Sequence, residues 1–205
     1  MSVVEYFNII IKPEPTMQGD LKSVDRREAM KSYALVGAVF GLILGLGFAT
    51  LGGLLSTLGG SAGALFAGLG VLAIIVFPIL LAILTVIGSL IGTGIMYLIA
   101  KALGGTGTFD QQFYVSSRLV WPAFFATIGI FFLTLIPFVG VMISFVWNLY
   151  SLYLQVVLIS VVHKVSKMKG LVIMLVPLIL VFILAMIFAA SLIAGVVGAG
   201  AALAN

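Results

Sequence analysis
The chain has 205 residues, 63% hydrophobic and only 8% charged, a balance that would make a soluble domain of this size insoluble. It has no cysteine, which excludes disulfides, thiol nucleophiles, thiolate metal sites and iron–sulfur clusters. The net charge of +4 would point a soluble protein toward nucleic acid. Here the basic residues sit beside apolar runs, where they orient a membrane chain and meet anionic headgroups, so no nucleic-acid partner is expected.

Residues 1–32 hold Glu5, Glu14, Asp20, Asp25 and Glu28 and no uninterrupted apolar core, so they do not read as a cleavable signal. Val3, Phe7 and Ile10 share one helical face and Glu5, Asn8 and Lys12 the other, with Pro13 and Pro15 expected to stop the helix. The pattern suits a short interfacial helix on the cytoplasmic leaflet; a disordered tail is the alternative, because so short a helix is marginal without the membrane.

From Tyr33 onward, long apolar runs are broken by two short polar segments, 101–118 and 163–169. About 20 apolar residues cross a bilayer core of roughly 30 Å. The first span is expected at about 33–55, followed by a Gly/Ser-rich break at 57–63. Residues 64–100 are then apolar throughout, too long for one perpendicular crossing and barely enough for two. With one crossing, all ten Lys and Arg fall on one side of the membrane; with two, the five from Lys101 onward switch sides. The positive-inside rule therefore selects one span, about 71–100, tilted or kinked near Pro78, with 63–70 leading into it outside.

Thr108 followed by Asp110 and Gln111 forms a capping-box pattern that starts the next helix near Phe109. The third span is expected at about 117–136, the fourth at 139–162 and the fifth at 170–194, with a tight hairpin at 136–140. The expected fold is all-α: a polytopic membrane bundle of five transmembrane helices, N-terminus cytoplasmic and C-terminus outside. Residues 1–32 form its cytoplasmic segment and 33–205 its transmembrane domain.

Chemistry in the membrane needs polar groups there. On span four, Ser144, Asn148, Ser151 and Gln155 stand at i, i+4, i+7 and i+11, on one face that should point into the bundle. They suit either a polar path for a small ligand or headgroup, or interhelical hydrogen bonding. The apolar cores carry no Asp, Glu, Lys or Arg, which leaves a proton relay or an aspartate-based intramembrane protease without its parts. His163, the only histidine, stands beside Lys164, Lys167 and Lys169 and reads as a headgroup-contacting surface residue. No catalytic, cofactor or metal set can be assembled. The run 104–107, Gly-Gly-Thr-Gly, lacks the Lys-Ser/Thr of a phosphate loop and reads as a flexible connector. Gly37, Gly41 and Gly45 on span one, Gly88 and Gly92 on span two, and Ser191, Gly195 and Ala199 near the end have the spacing of close helix packing within one bundle; a homodimer through span one or the C-terminal tail is the second arrangement they allow.

Several segments carry a resemblance: Ile11-Lys12-Pro13, Ala102 to Phe109, Trp121-Pro122, Ile136 to Gly140, Trp147 to Tyr150 and Val161 to Lys167. Together they resemble the Yip domain family of Ypt/Rab-GTPase-interacting, five-span membrane proteins, and the opening is similar to its prokaryotic members. The resemblance implies a prokaryotic cell membrane. It also implies a role in membrane organisation or trafficking rather than catalysis. The family's eukaryotic members bind small prenylated GTPases through a longer cytosolic N-terminal region, so no GTPase-binding residue is carried over to residues 1–32. The leading expectation is a non-enzymatic membrane scaffold or adaptor whose basic cytoplasmic face (Arg26, Arg27, Lys31, His163, Lys164, Lys167, Lys169) meets anionic lipid or a protein partner. The alternative is a small transporter or channel lined by the span-four stripe.

Overall fold
The computed structural model describes the backbone of residues 3–57, 59–136 and 138–203, and side chains within 7–192 and at 194 except 58, 60–62, 64 and 137. Two short helices, α1 (Val3–Ile11) and α2 (Pro13–Asp20), precede five long ones: α3 (Arg26–Ser56), α4 (Gly60–Ala102), α5 (Phe109–Leu133), α6 (Val139–His163) and α7 (Lys167–Leu203). Each of the five is long and apolar enough to cross a membrane.

Pro13 and Pro15 end α1 but do not end helical structure. Both fall in the first turn of α2, where a missing N–H costs nothing and the fixed φ favours the helix. The two short helices pack on the bundle, α1 against α5 and α2 against α6. Ile9 and Met17 are buried there, and the Tyr150 hydroxyl donates to the Ile10 carbonyl. The Val3 and Glu5 side chains lie outside the described residues.

The α3–α4 hairpin is the most extensive helix pair. Gly37, Gly41 and Gly45 let the α3 backbone lie directly on α4: a Cβ on Gly37 would stand 2.5 Å from the Leu81 carbonyl oxygen, and one on Gly45 2.7 Å from that of Ala73. The span-one glycine face is thus covered within the chain and is not open to a second copy. Gly88 and Gly92, expected to pack in the same way, do not: a Cβ on either would meet open space.

Residues 60–102 form one continuous helix through Pro78. The break before it is shorter than its Gly/Ser run suggests: Gly59 takes a φ of +82°, which glycine adopts without strain, and α4 begins one residue later. The Thr108–Gln111 capping box forms as expected: Gln111 N donates to Thr108 Oγ1 at 3.2 Å, and Thr108 N to Gln111 Oε1 at 2.9 Å. In the α5–α6 turn, Phe138 takes a left-handed φ of +66°. Pro137 is not among the described residues.

Burial is concentrated at one end. Val115, Val157, Leu158, Val162 and Ile173 join Ile9 and Met17 in one cluster, and Ala29, Tyr33, Phe113 and Tyr114 form a second. At the other extreme, every α7 side chain from Leu178 to Leu192 is exposed. In water such a helix would aggregate, whereas lipid tails are as apolar as leucine and leave it stable.

Candidate functional site
The tightly packed end is also the charged end. The starts of α3 and α5 are joined by Arg26 and Asp110 at 3.8 Å, and the start of α7 is joined to α2 by Lys167 and Glu14 at 3.1 Å. The α4–α5 loop is tied to the end of α6, with Thr106 N donating to the His163 carbonyl at 3.0 Å. Successive antiparallel helices thus bring the Lys and Arg near the starts of α3, α5 and α7 and the ends of α4 and α6 to one end.

One of these cations is internal. Arg118 Nε lies 3.5 Å from Asp20 Oδ1, with side-chain exposures of only 4% and 10%. Burial pushes the Asp20 carboxyl above the usual carboxylate range, against the pull of the Arg118 guanidinium. The pair pins α2 to α5. Beside it, the Tyr114 hydroxyl donates to Glu28 Oε2 at 3.4 Å and Ser32 Oγ to the Ser117 carbonyl at 3.3 Å, which tie α3 to α5.

The other cations face outward. Arg26, Arg27, Lys31, Lys164, Lys167 and Lys169 are all exposed. Arg26 and Lys167 have the half-exposed carboxylate partners given above, pairs that contribute little in high dielectric. Arg27, Lys31, Lys164 and Lys169 make no salt bridge among the described residues.

His163 departs from the expectation: it is fully buried and cannot meet a headgroup. Its Nε2 lies 2.8 Å from Gln112 Oε1, and Gln112 Nε2 donates in turn to the Thr93 carbonyl at 3.5 Å. The helix turns outward only after it, where Lys164 adopts a left-handed φ of +53°. The glycine run before Thr108 is correspondingly not a loose connector. Gly105 and Gly107 are buried against α6, and a Cβ on Gly105 would stand 2.8 Å from His163 Nδ1. The loop needs glycine there to close over the imidazole.

The polar stripe of α6 splits in two. Ser144 Oγ donates to the Gly140 carbonyl and Asn148 Nδ2 to the Ser144 carbonyl, both at 2.7 Å, so these two use their hydrogen bonds within their own helix, and Asn148 is exposed rather than turned into the bundle. Ser151 and Gln155 line a cavity of about 40 Å³ with Ile10, Leu119 and Trp147. Gln155 also reaches a second cavity of about 200 Å³, lined by Tyr33, Ser89, Thr93, Gln112 and Ser116 from three other helices. Those five were not singled out from the sequence, although Ser89 with Thr93 and Gln112 with Ser116 are i, i+4 pairs that place two polar groups on one face of α4 and of α5. Among the described residues no three His, Cys, Asp or Glu converge to hold a metal ion.

Five helices long and apolar enough to cross a membrane define an integral, multi-pass α-helical membrane protein. The model of the Yip1 domain matches residues 8–189, nearly the whole chain, and the protein belongs to that family. Comparison with curated proteins and with solved structures finds no match.

Proposed function
We propose that this protein is a non-enzymatic scaffold of the Yip type, which holds anionic lipid headgroups and docks a partner of acidic surface at its basic end. The observation that carries this reading is the concentration of exposed, unneutralised cations at that end: Arg27 and Lys31 from the start of α3 and Lys164 and Lys169 from the α6–α7 junction share one end of the bundle. Each Lys or Arg near an anionic leaflet is worth about 1 kcal/mol, so four together attract headgroups or an acidic protein surface substantially. The positive-inside rule puts that end in the cytoplasm, with the C-terminus across the membrane, and the family resemblance favours a prokaryotic cell membrane. The reading is favoured over a transporter because the outer half of the α6 stripe spends its hydrogen bonds on its own helix. Toward the α5–α6 turn, the cavity between these helices is lined by apolar side chains such as Ile130, Leu133, Ile143 and Val146.

The test is extraction from the native membrane into lipid nanodiscs without detergent, followed by mass spectrometry of co-purifying proteins and lipids. The wild type should retain a stoichiometric protein partner and enriched anionic lipid, both lost on substituting glutamine at Arg27, Lys31, Lys164 and Lys169 together. A wild-type protein carrying only bulk lipid, or retention unaffected by the four substitutions, would overturn the reading.

A further inference from the structure
The polar cavity of about 200 Å³ and a groove of about 280 Å³ between α4 and α7 share two lining residues, Gly92 and Met96. Gly92 is exposed where they meet, and a Cβ there would touch no other atom. The cavity is surrounded by hydroxyls and amides: Tyr33, Ser89, Thr93, Gln112, Ser116 and Gln155. The groove is apolar, walled by Ile95, Met96, Met174, Pro177 and Leu178. A polar chamber opening into an apolar channel has the shape and chemistry of an amphiphile.

Two observations define the head such a ligand carries. First, no lining residue of the cavity bears a charge, so a phosphate or ammonium would be left uncompensated in low dielectric. Second, the Gln155 side chain makes no hydrogen bond among the described residues, although it faces the cavity. The half-buried Gln155 amide thus has donors and an acceptor free to meet a hydroxyl or carbonyl of whatever enters. Ser116 is seven residues into α5 and Gln155 eight before the end of α6. At 1.5 Å per residue the chamber lies about 10–12 Å inside the charged end. The volume corresponds to roughly six or seven water molecules, which suits a glycerol-sized head.

We infer that the chamber and groove form a binding site for a neutral, hydroxyl-headed membrane lipid of the diacylglycerol type, its head on Gln155 and one chain between α4 and α7. This site is separate from the basic surface and does not depend on the scaffold reading.

The test uses the full chain in nanodiscs with a diacylglycerol carrying a diazirine in one acyl chain. Photolabelling of wild type is expected to saturate, to map by peptide mass spectrometry to the segments around Met96 and Met174, and to be displaced by unlabelled diacylglycerol but not by phosphatidylglycerol. Gly92→Leu blocks the junction without striking a neighbour and should abolish the saturable labelling. Gln155→Leu should lower affinity about fivefold, as loss of one hydrogen bond implies. Gly88→Leu, one turn away, should leave labelling unchanged. Labelling that does not saturate, or that phosphatidylglycerol displaces equally, would show surface lipid only and overturn the site. The wild-type competition decides this even if a variant misfolds.

Discussion
His163 at the end of α6 is hydrogen-bonded through Nε2 to Oε1 of Gln112 on α5, 2.8 Å away, and both side chains are buried. Through the Gln112 amide the link reaches the Thr93 carbonyl on α4, so one histidine joins three of the five long helices. Geometry assigns the donor: with Gln112 Nε2 directed at Thr93, its oxygen is the acceptor and His163 Nε2 carries the proton. His163 Nδ1 is buried with no partner among the described residues, close beneath Gly105.

His163→Leu conserves much of the volume but removes the donor, leaving the Gln112 oxygen unsatisfied at a cost of about 1–3 kcal/mol. Thermal unfolding in nanodiscs should show the loss. The double variant His163→Leu, Gln112→Leu should lose less than the sum of the single changes, because each removes the partner the other would have stranded. Strict additivity would mean that the two side chains do not depend on each other.

Arg118→Met breaks the buried pair and leaves the Asp20 carboxyl without its counter-charge, a loss of about 3–5 kcal/mol at neutral pH. The pH dependence has a definite sign. Burial already raises the Asp20 pKa above the usual carboxylate range, and loss of Arg118 raises it further, so the folded variant binds a proton that the unfolded chain releases. Stability of Arg118→Met should therefore rise as pH falls from 7 toward the unfolded value, and Asp20→Asn in the same background should abolish that rise. A variant whose stability is flat in pH would remove Asp20 as the stranded charge.

Glycines with the same spacing are expected to behave oppositely. Gly41→Leu drives a side chain into the α4 backbone at Phe77 and Pro78, where no rotamer offers escape, and should separate the α3–α4 hairpin. Gly88→Leu points into open space and should be tolerated. Proteolysis and thermal unfolding of the two variants compare them directly; equal damage would refute the close α3–α4 contact.

The helices, the Thr108 cap and the gathering of Lys and Arg were legible because they rest on local signals: runs of apolar residues, a four-residue capping pattern and the placement of charge. The site was legible only in part. Gly88 and Gly92 have the same four-residue spacing as Gly41 and Gly45, and spacing alone does not say which face of α4 meets α3. His163 has three lysines within six residues, which suggests a surface position, but its helix face and Gly105 of a distant loop bury it. The α6 stripe is a correct helical face whose outer half nonetheless turns away from the bundle, because the neighbouring helices enclose it only near the charged end.

The adaptor surface can act on cytoplasmic partners only if the charged end faces the cytoplasm, and the absence of native cysteine makes this directly measurable. Single cysteines placed at Ser23, Thr106 and Ser166 on the charged end, and at Thr57 and Thr134 on the opposite turns, would be exposed in turn to a membrane-impermeant maleimide in intact cells. Labelling of positions 57 and 134 alone, with 23, 106 and 166 reacting only after lysis, is the predicted result; labelling of 23, 106 and 166 in intact cells would contradict the account.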